Sequence, residues 1–143
     1  MKRRRVLLAV VILALLSGAG AVYYASHAIT APQDAYAVEW VAGMVIEYMK
    51  THNGAWPRNW EDLRTPYETC AQRSGRPWPF EHLRERVDVD WEADPAQLAT
   101  APDTGTEPPF KVIWLRSGRQ THWQDHEPNR MIFDYLRSRK PGR

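Results

Sequence analysis

An uncharged stretch of 19 residues near the start of the chain restricts its fold more than any other feature. The stretch runs from Val6 to Tyr24 and is rich in Leu, Val and Ala. At a rise of about 1.5 Å per residue, a helix of this length spans roughly 28 Å, close to the thickness of the hydrocarbon core of a bilayer. The sequence therefore predicts a transmembrane helix at residues 6–24, with the lipid bilayer as a partner.

Positive charge flanks this stretch on one side only. Residues 1–5 contain four Lys and Arg, whereas residues 25–49 contain none. Because the basic flank of a membrane segment stays in the cytoplasm, we expect residues 1–5 to form a cytoplasmic basic segment. The predicted location is the plasma (inner) membrane, single-pass, with an extracytoplasmic head at residues 25–136.

A cleaved signal peptide is the alternative interpretation of the same stretch. Ala19-Gly20-Ala21 matches the small-residue pattern of a cleavage site after a basic start and an apolar stretch. Cleavage would give a secreted protein, and retention a signal anchor with Tyr23 and Tyr24 at the outer interface. Both alternatives place residues 25–136 on the same side of the membrane.

The formal net charge of +2 conceals an acidic head between two basic ends. Residues 25–136 carry 11 Lys and Arg against 17 Asp and Glu, a net charge of −6, and residues 137–143 form a basic tail. Nucleic-acid binding normally requires a basic face on the folded domain, so we expect no nucleic-acid partner. A single cysteine, Cys70, excludes an internal disulfide framework.

The head is predicted to begin with an amphipathic helix at about residues 31–52. Thr30 and Gln33 fit a capping box at its start, and Asn53-Gly54 fits a left-handed end. The apolar residues of this segment recur at three- and four-residue steps and form one stripe that should be buried. They are Ala37, Trp40, Val41, Met44, Val45 and Tyr48.

Short helices, strands and a last helix should follow. Asn59 and Thr65 are good N-caps for brief helices that end near Leu63 and Gln72. Alternating polar and apolar residues predict a strand from Arg86 to Glu92, and residues 110–124 predict a hairpin that turns at Gly118. Residues 128–138 predict a C-terminal helix. The predicted fold class is α+β, with the amphipathic helix on an antiparallel sheet of about three strands.

The order of these elements resembles that of type IV pilin and type II secretion pseudopilin subunits. The resemblance rests on the apolar helix, the amphipathic helix, the segment Tyr48-Met-Lys-Thr-His-Asn-Gly-Ala-Trp-Pro57 and a small antiparallel sheet. The chain departs from that family because residues 6–24 contain no glutamate and no prepilin peptidase motif precedes them. What the resemblance implies is a pilin-like head on an ordinary membrane anchor. In the stretch Trp-Pro-x-x-Trp-Glu-Asp-Leu, this chain is also similar to small bacterial membrane proteins of unknown function.

Two histidines are the candidate metal ligands. His122 and His126 lie close to Asp125 and Glu127, and imidazole and carboxylate are ordinary zinc ligands. On a strand the two imidazoles would lie about 13 Å apart, so one ion could bind both only if the chain bent between them. No third ligand at a meaningful spacing is present, and we predict no metal, no cofactor and no catalytic residues.

Seven tryptophans lie outside the uncharged stretch and suggest a second function. An indole face stacks well on a sugar ring, but large aromatic residues also fill the cores of small domains. Trp40, Trp91 and Trp114 fall on faces that should be buried. Trp56, Trp60 and Trp78 lie in proline-flanked segments and form a candidate interaction surface.

The sequence therefore favours a non-enzymatic, single-span, membrane-anchored protein. Its pilin-like head would make protein contacts in the cell envelope, with a partner that the sequence does not identify. A secreted or anchored module that binds glycan or peptidoglycan is the alternative, and a small metal-dependent enzyme is the third hypothesis.

Overall fold

The computed structural model describes residues 32–75, 77–105, 107–121, 123 and 127–139. Contacts between Cα atoms divide the chain into two units, Met1–Gln33 and Asp34–Arg143. Nearly all of the described residues belong to the second unit, whose fold is given below. The predicted membrane segment at residues 6–24, the cytoplasmic segment at 1–5 and the Thr30 half of the capping box lie outside the described residues.

The first helix, α1, is described from residue 32 to residue 51, which confirms the predicted amphipathic helix over those residues. All six residues of the predicted stripe are buried. Val38, Ala42 and Met49 are buried as well, so the buried surface of α1 is wider than the predicted stripe. A helix covered so widely lies inside the domain, where it forms much of the core.

The end of α1 has the left-handed geometry that the sequence predicts. Asn53 and Gly54 have φ values of 55° and 86°, and the Gly54 amide donates to the Met49 carbonyl over 2.8 Å. This is the hydrogen bond of a Schellman motif, which satisfies a carbonyl at the helix end. Arg139, from the predicted basic tail, donates to the same Met49 carbonyl over 3.0 Å, so the described part of that tail contacts the domain.

Three short helical segments follow. A 3₁₀ turn, Trp60–Leu63, is capped by Asn59 as predicted. It runs directly into α2, Arg64–Ser74, so that Thr65 lies inside α2 instead of capping it. Helix α3, Phe80–Arg86, was not predicted from the sequence because two buried residues, Phe80 and Leu83, are too few to define a helical period.

The sheet consists of two short antiparallel strands among the described residues. Strand β1, Val87–Val89, pairs with β2, Ile113–Leu115, and Asp88 lies opposite Trp114. The predicted strand to Glu92 is shorter than expected because the Asp90 carboxylate accepts the Glu92 amide and turns the chain. Helix α4, Pro95–Thr100, then begins at the Asp94 cap.

The last helix, α5, runs from Pro128 to Ser138 as predicted, with Glu127 as its N-cap. Its buried residue Asn129 binds the outer edge of β2. Asn129 Oδ1 accepts the amides of Val112 and Ile113 over 2.8 and 2.9 Å, and its Nδ2 donates to the Ile113 carbonyl over 3.0 Å. The side-chain amide therefore occupies the position that a third strand would take.

The predicted fold needs two corrections. Among the described residues the sheet has two strands instead of about three. Gly118 turns the chain with a φ of 72°, but residues 119–121 and 123 are not strand, because Asn129 fills the edge with which they would pair. The predicted transmembrane helix is also not part of the described fold, in which no helix is both long and apolar enough to cross a membrane. The class, α+β, agrees with the prediction.

Asp103 links the long loop before β2 to α5. Its carboxylate accepts from Arg130 over 2.7 and 3.1 Å and from Arg137 over 3.1 Å. The hydrogen bond from Arg130, then the amide of Gly105, lower the pKa of Asp103 from its ordinary value. Because the carboxylate is charged in this arrangement, its contribution to stability is present above the unfolded pKa of about 3.9 and is lost as the pH falls through the lower folded pKa.

We expect Asp103→Asn to reduce the dependence of the free energy of unfolding on pH in the acid range. The variant should be less stable than the wild type at neutral pH, and the difference between them should shrink as the pH falls below about 4. Urea unfolding between pH 3 and pH 7, chosen to bracket that range, measures this difference. Glu68→Gln, which removes an exposed carboxylate on α2, is the control. A difference that is equal at all pH values would contradict the assignment.

Candidate functional site

A cavity of about 240 Å³ opens where the first described turn of α1 meets the end of α3 and the turn after β2. We name it the Asp34 cavity. Charged side chains dominate its lining, which consists of Asp34, Glu85, Arg86, Leu115, Arg116, Ser117 and Arg119. Guanidinium, carboxylate and hydroxyl groups together give the cavity a strongly polar lining.

A buried carboxylate organises this cavity. Asp34 is only 4% exposed, and its Oδ1 accepts a hydrogen bond of 2.8 Å from Arg86 Nη1. Arg119 Nη1 lies 3.4 Å from Oδ2 in an ion pair, but Oδ2 accepts no hydrogen bond from the described residues. Since an isolated buried charge is costly, two guanidiniums share the single carboxylate.

The other charges of the cavity are arranged differently. Arg116 donates to Asp88 Oδ1 through Nε and Nη2 over 3.0 and 2.7 Å, and this contact raises the pKa of Arg116. Glu85 is exposed, and no described residue forms an ion pair or hydrogen bond with it. The cavity therefore presents bound guanidiniums together with one carboxylate that has no partner.

An aromatic pair borders the Asp34 cavity. The guanidinium of Arg86 lies 5.3 Å from the ring centre of Trp78, and Trp78 contacts Tyr36 edge-to-face at 5.9 Å. Tyr36 is 37% exposed and is the most exposed large hydrophobic side chain among the described residues. Trp78 is half-buried. The cavity and the exposed aromatic rim are thus joined through Arg86.

The three tryptophans of the predicted interaction surface lie in different surroundings. Trp56 is buried, and its Nε1 donates to the Asp90 carbonyl over 2.8 Å, so its face is not available to a ligand. Trp60 is half-buried and packs on Trp91 at 5.6 Å. Trp78 contacts Tyr36 instead. The structure therefore does not bring the three indoles together into one exposed cluster.

A larger groove of about 540 Å³ lies beside β2. We name it the β2 groove. Its floor includes Val38 of α1 and Asn129 of α5. Aromatic and proline residues line much of it, namely Pro108, Pro109, Phe110, Trp114 and Trp123, and charged or polar residues complete it, including Glu107, Lys111, Gln120 and Thr121.

The predicted metal ligands His122 and His126 lie outside the described residues, as does Asp125. Within the described ranges, no group of three or more His, Cys, Asp or Glu could hold a metal ion. Cys70 is half-buried on α2, and burial raises the pKa of its thiol. A protonated thiol is a poor nucleophile, which disfavours cysteine chemistry at this position.

In comparisons with protein-family models, curated proteins and solved structures, none matches this chain significantly. Sequence reasoning missed Asp34, Arg86 and Arg119 in the cavity, and it missed Asn129 at the edge of β2. The signal for Asn129 is a polar residue next to Pro128 on the buried side of a helix. The signal for Asp34 is weaker because Arg86 lies 52 positions away.

Proposed function

We propose that the chain is a non-enzymatic protein of the cell envelope, held at the plasma membrane by residues 6–24, whose acidic head makes protein contacts outside the cytoplasm. The membrane location rests on the composition of residues 1–24 and on the missing Lys and Arg in residues 25–49. The resemblance of residues 6–63 to pilin-type subunits also supports this role.

The β2 groove is the observation that favours a protein partner. Aromatic residues are enriched in protein interfaces, and polar residues typically surround the apolar centre. The groove has this composition, with Phe110, Trp114 and Trp123 among polar residues. Its volume of about 540 Å³ is large enough to receive side chains of a partner. We therefore propose that an envelope protein inserts apolar side chains into it.

Protease access tests the proposed location. A protease added to cells with a permeabilised outer barrier but an intact inner membrane should digest residues 25–136. The same treatment should leave a cytoplasmic marker protein intact. A head that stays protected until the inner membrane is lysed would contradict the proposal.

Photocrosslinking in intact cells tests the proposed contact. A photoreactive residue at Gln120, which lines the β2 groove and is exposed, should crosslink to one protein. The same residue at Glu68, exposed on α2 and outside the groove, is the control and should not. The product should disappear when Trp114→Ser is introduced in a chain that still folds. Equal crosslinking from both positions, or a product that survives Trp114→Ser, would contradict this use of the groove.

A further inference from the structure

The Asp34 cavity combines charges of both signs in a small volume. Three guanidiniums, from Arg86, Arg116 and Arg119, lie with the carboxylates of Asp34 and Glu85 around about 240 Å³. When Asp88, the partner of Arg116, is included, positive and negative charges are equal in number. A site of this kind suits a ligand that itself carries both charges more than it suits a simple anion or cation.

Arg86 and Arg116 provide the positive side of the cavity. A guanidinium has five N–H donors. Arg86 uses Nη1 for Asp34, and Arg116 uses Nε and Nη2 for Asp88. The two bonds from Arg116 orient its guanidinium plane, the single bond from Arg86 anchors one end of its guanidinium, and both side chains keep further donors. Phosphate, whose several oxygens can accept from two guanidiniums at once, is an anion that suits this arrangement.

Glu85 provides the negative side. Its carboxylate lines the cavity, is exposed, and has no ion-pair or hydrogen-bond partner among the described residues. It is adjacent in sequence to Arg86, at the end of α3. One small ligand can therefore place an ammonium group on Glu85 and an anion on Arg86.

The surroundings of the cavity indicate where such a ligand would come from. Tyr36 and Trp78 form the exposed aromatic rim next to Arg86, and Tyr and Trp are enriched where proteins meet the headgroups of a bilayer. Asp34 and Tyr36 also follow the uncharged stretch, which ends at Tyr24, within 12 positions.

We propose that the Asp34 cavity binds a phosphoethanolamine group, with its phosphate on Arg86 and Arg116 and its primary ammonium on Glu85. Phosphatidylethanolamine headgroups carry this group, as does soluble glycerophosphoethanolamine. Asp34 does not contact the ligand in this assignment, but holds Arg86 and Arg119 in place. The lipid source rests on the proposed function, whereas binding of the soluble compound does not.

The size of the cavity agrees with this class of ligand. Its volume of about 240 Å³ is below the 300–1,000 Å³ of typical sites for drug-sized molecules. A headgroup fits such a volume with its glycerol end directed outward, toward the acyl chains in a lipid or toward solvent in the soluble compound. Affinity for the soluble compound should be weak, with a Kd of about 1 mM.

The test is a titration of the full chain, in an uncharged detergent, with soluble glycerophosphoethanolamine. NMR of the arginine Nε–H groups should show saturable shifts at Arg86 and Arg116. Glycerophosphocholine has the same phosphate but no N–H donor, and it should bind at least about fivefold more weakly, which corresponds to about 1 kcal/mol. Inorganic phosphate and ethanolamine, each with one half of the ligand, should also bind more weakly.

Two variants of α3 make the test specific. Glu85→Gln, at an exposed position, should keep the fold and reduce the preference for glycerophosphoethanolamine over glycerophosphocholine to about one. Arg84→Gln is the matched control, because Arg84 is exposed on the same helix and pairs with Glu81 outside the cavity. It should leave both affinities unchanged.

Nanodiscs identify the source of the ligand. If lipid is the source, the shifts seen with the soluble compound should also appear in phosphatidylethanolamine nanodiscs and not in phosphatidylcholine nanodiscs. Shifts with the soluble compound alone would support the site with a soluble ligand. No saturable shift with glycerophosphoethanolamine, or an undiminished preference in Glu85→Gln, would overturn the proposal. Either failure leaves the protease-access result intact, so that the two proposals fail separately.

Discussion

Replacing Asn129 with alanine is expected to lower the free energy of unfolding by about 3 kcal/mol or more. Asn129 is 4% exposed, and its side chain satisfies the amides of Val112 and Ile113 and the carbonyl of Ile113. Each buried backbone group left without a partner costs about 1–3 kcal/mol. The measurement is urea unfolding of the full chain, followed by tryptophan fluorescence.

Two further variants of α5 separate this effect from a general effect on the helix. Asn129→Asp keeps an acceptor for both amides, but it replaces the donor to the Ile113 carbonyl and to Glu127 Oε1 with a carboxylate oxygen. A buried charge then faces two acceptors, so this variant should also be strongly destabilised at about pH 7. Asp134→Ala removes an exposed i,i+4 pair with Arg130 and should cost at most about 0.5 kcal/mol. Similar losses for Asn129→Ala and Asp134→Ala would show that the edge of β2 does not depend on Asn129.

Replacing Phe133 with alanine is expected to cost about 3–5 kcal/mol. Phe133 is fully buried and contacts Phe110 edge-to-face at 5.8 Å. Arg130 and Arg137 also lie over its ring, at 5.3 and 5.4 Å. Removing the ring leaves a cavity between α5 and the loop before β2. Asp103 lies in the same loop and pairs with Arg130 and Arg137 of α5. Urea unfolding measures the total loss.

Hydrogen exchange shows which part of the domain loses stability when Phe133 is replaced. In Phe133→Ala, the amides of α4, which packs on α5, should exchange faster than in the wild type, and by a larger factor than those of α1. Phe133→Leu retains most of the buried volume and should lose less stability than Phe133→Ala. If amide exchange accelerated equally in α1 and α4, Phe133 would stabilise the whole core, contrary to the expectation that it mainly stabilises the contact of α5 with α4 and the loop before β2.

Helices with a local sequence signal, such as an apolar stripe, a cap residue or an initial proline, were predicted correctly. The stripe of α1, its Asn53-Gly54 end, the Asn59 cap and the Pro128 start of α5 are each contained within a few residues, and the structure confirms them. Helix α3 has no such signal, since its seven residues bury only two side chains. Short elements of this kind form because they pack on the rest of the domain, and that packing is not visible in the local sequence.

Long-range contacts explain what the sequence did not predict. Residues 120–124 are the predicted second arm of the hairpin, but the edge that this arm would join is occupied by Asn129. Asp34 lies on the buried stripe of α1, three residues before Ala37, but the apolar pattern does not show what a carboxylate would contact there. Its partners Arg86 and Arg119 come from 52 and 85 positions away. Neither contact leaves a periodic trace in the sequence.

The side chain of Asn129 also closes the β2 edge of the sheet to other chains. An open sheet edge is a template on which a second chain adds a strand, and proteins that lack a cover there tend to aggregate. At Ile113 both outward-facing backbone groups already have partners on α5. A second chain could therefore add a strand at this edge of β2 only after α5 had left it.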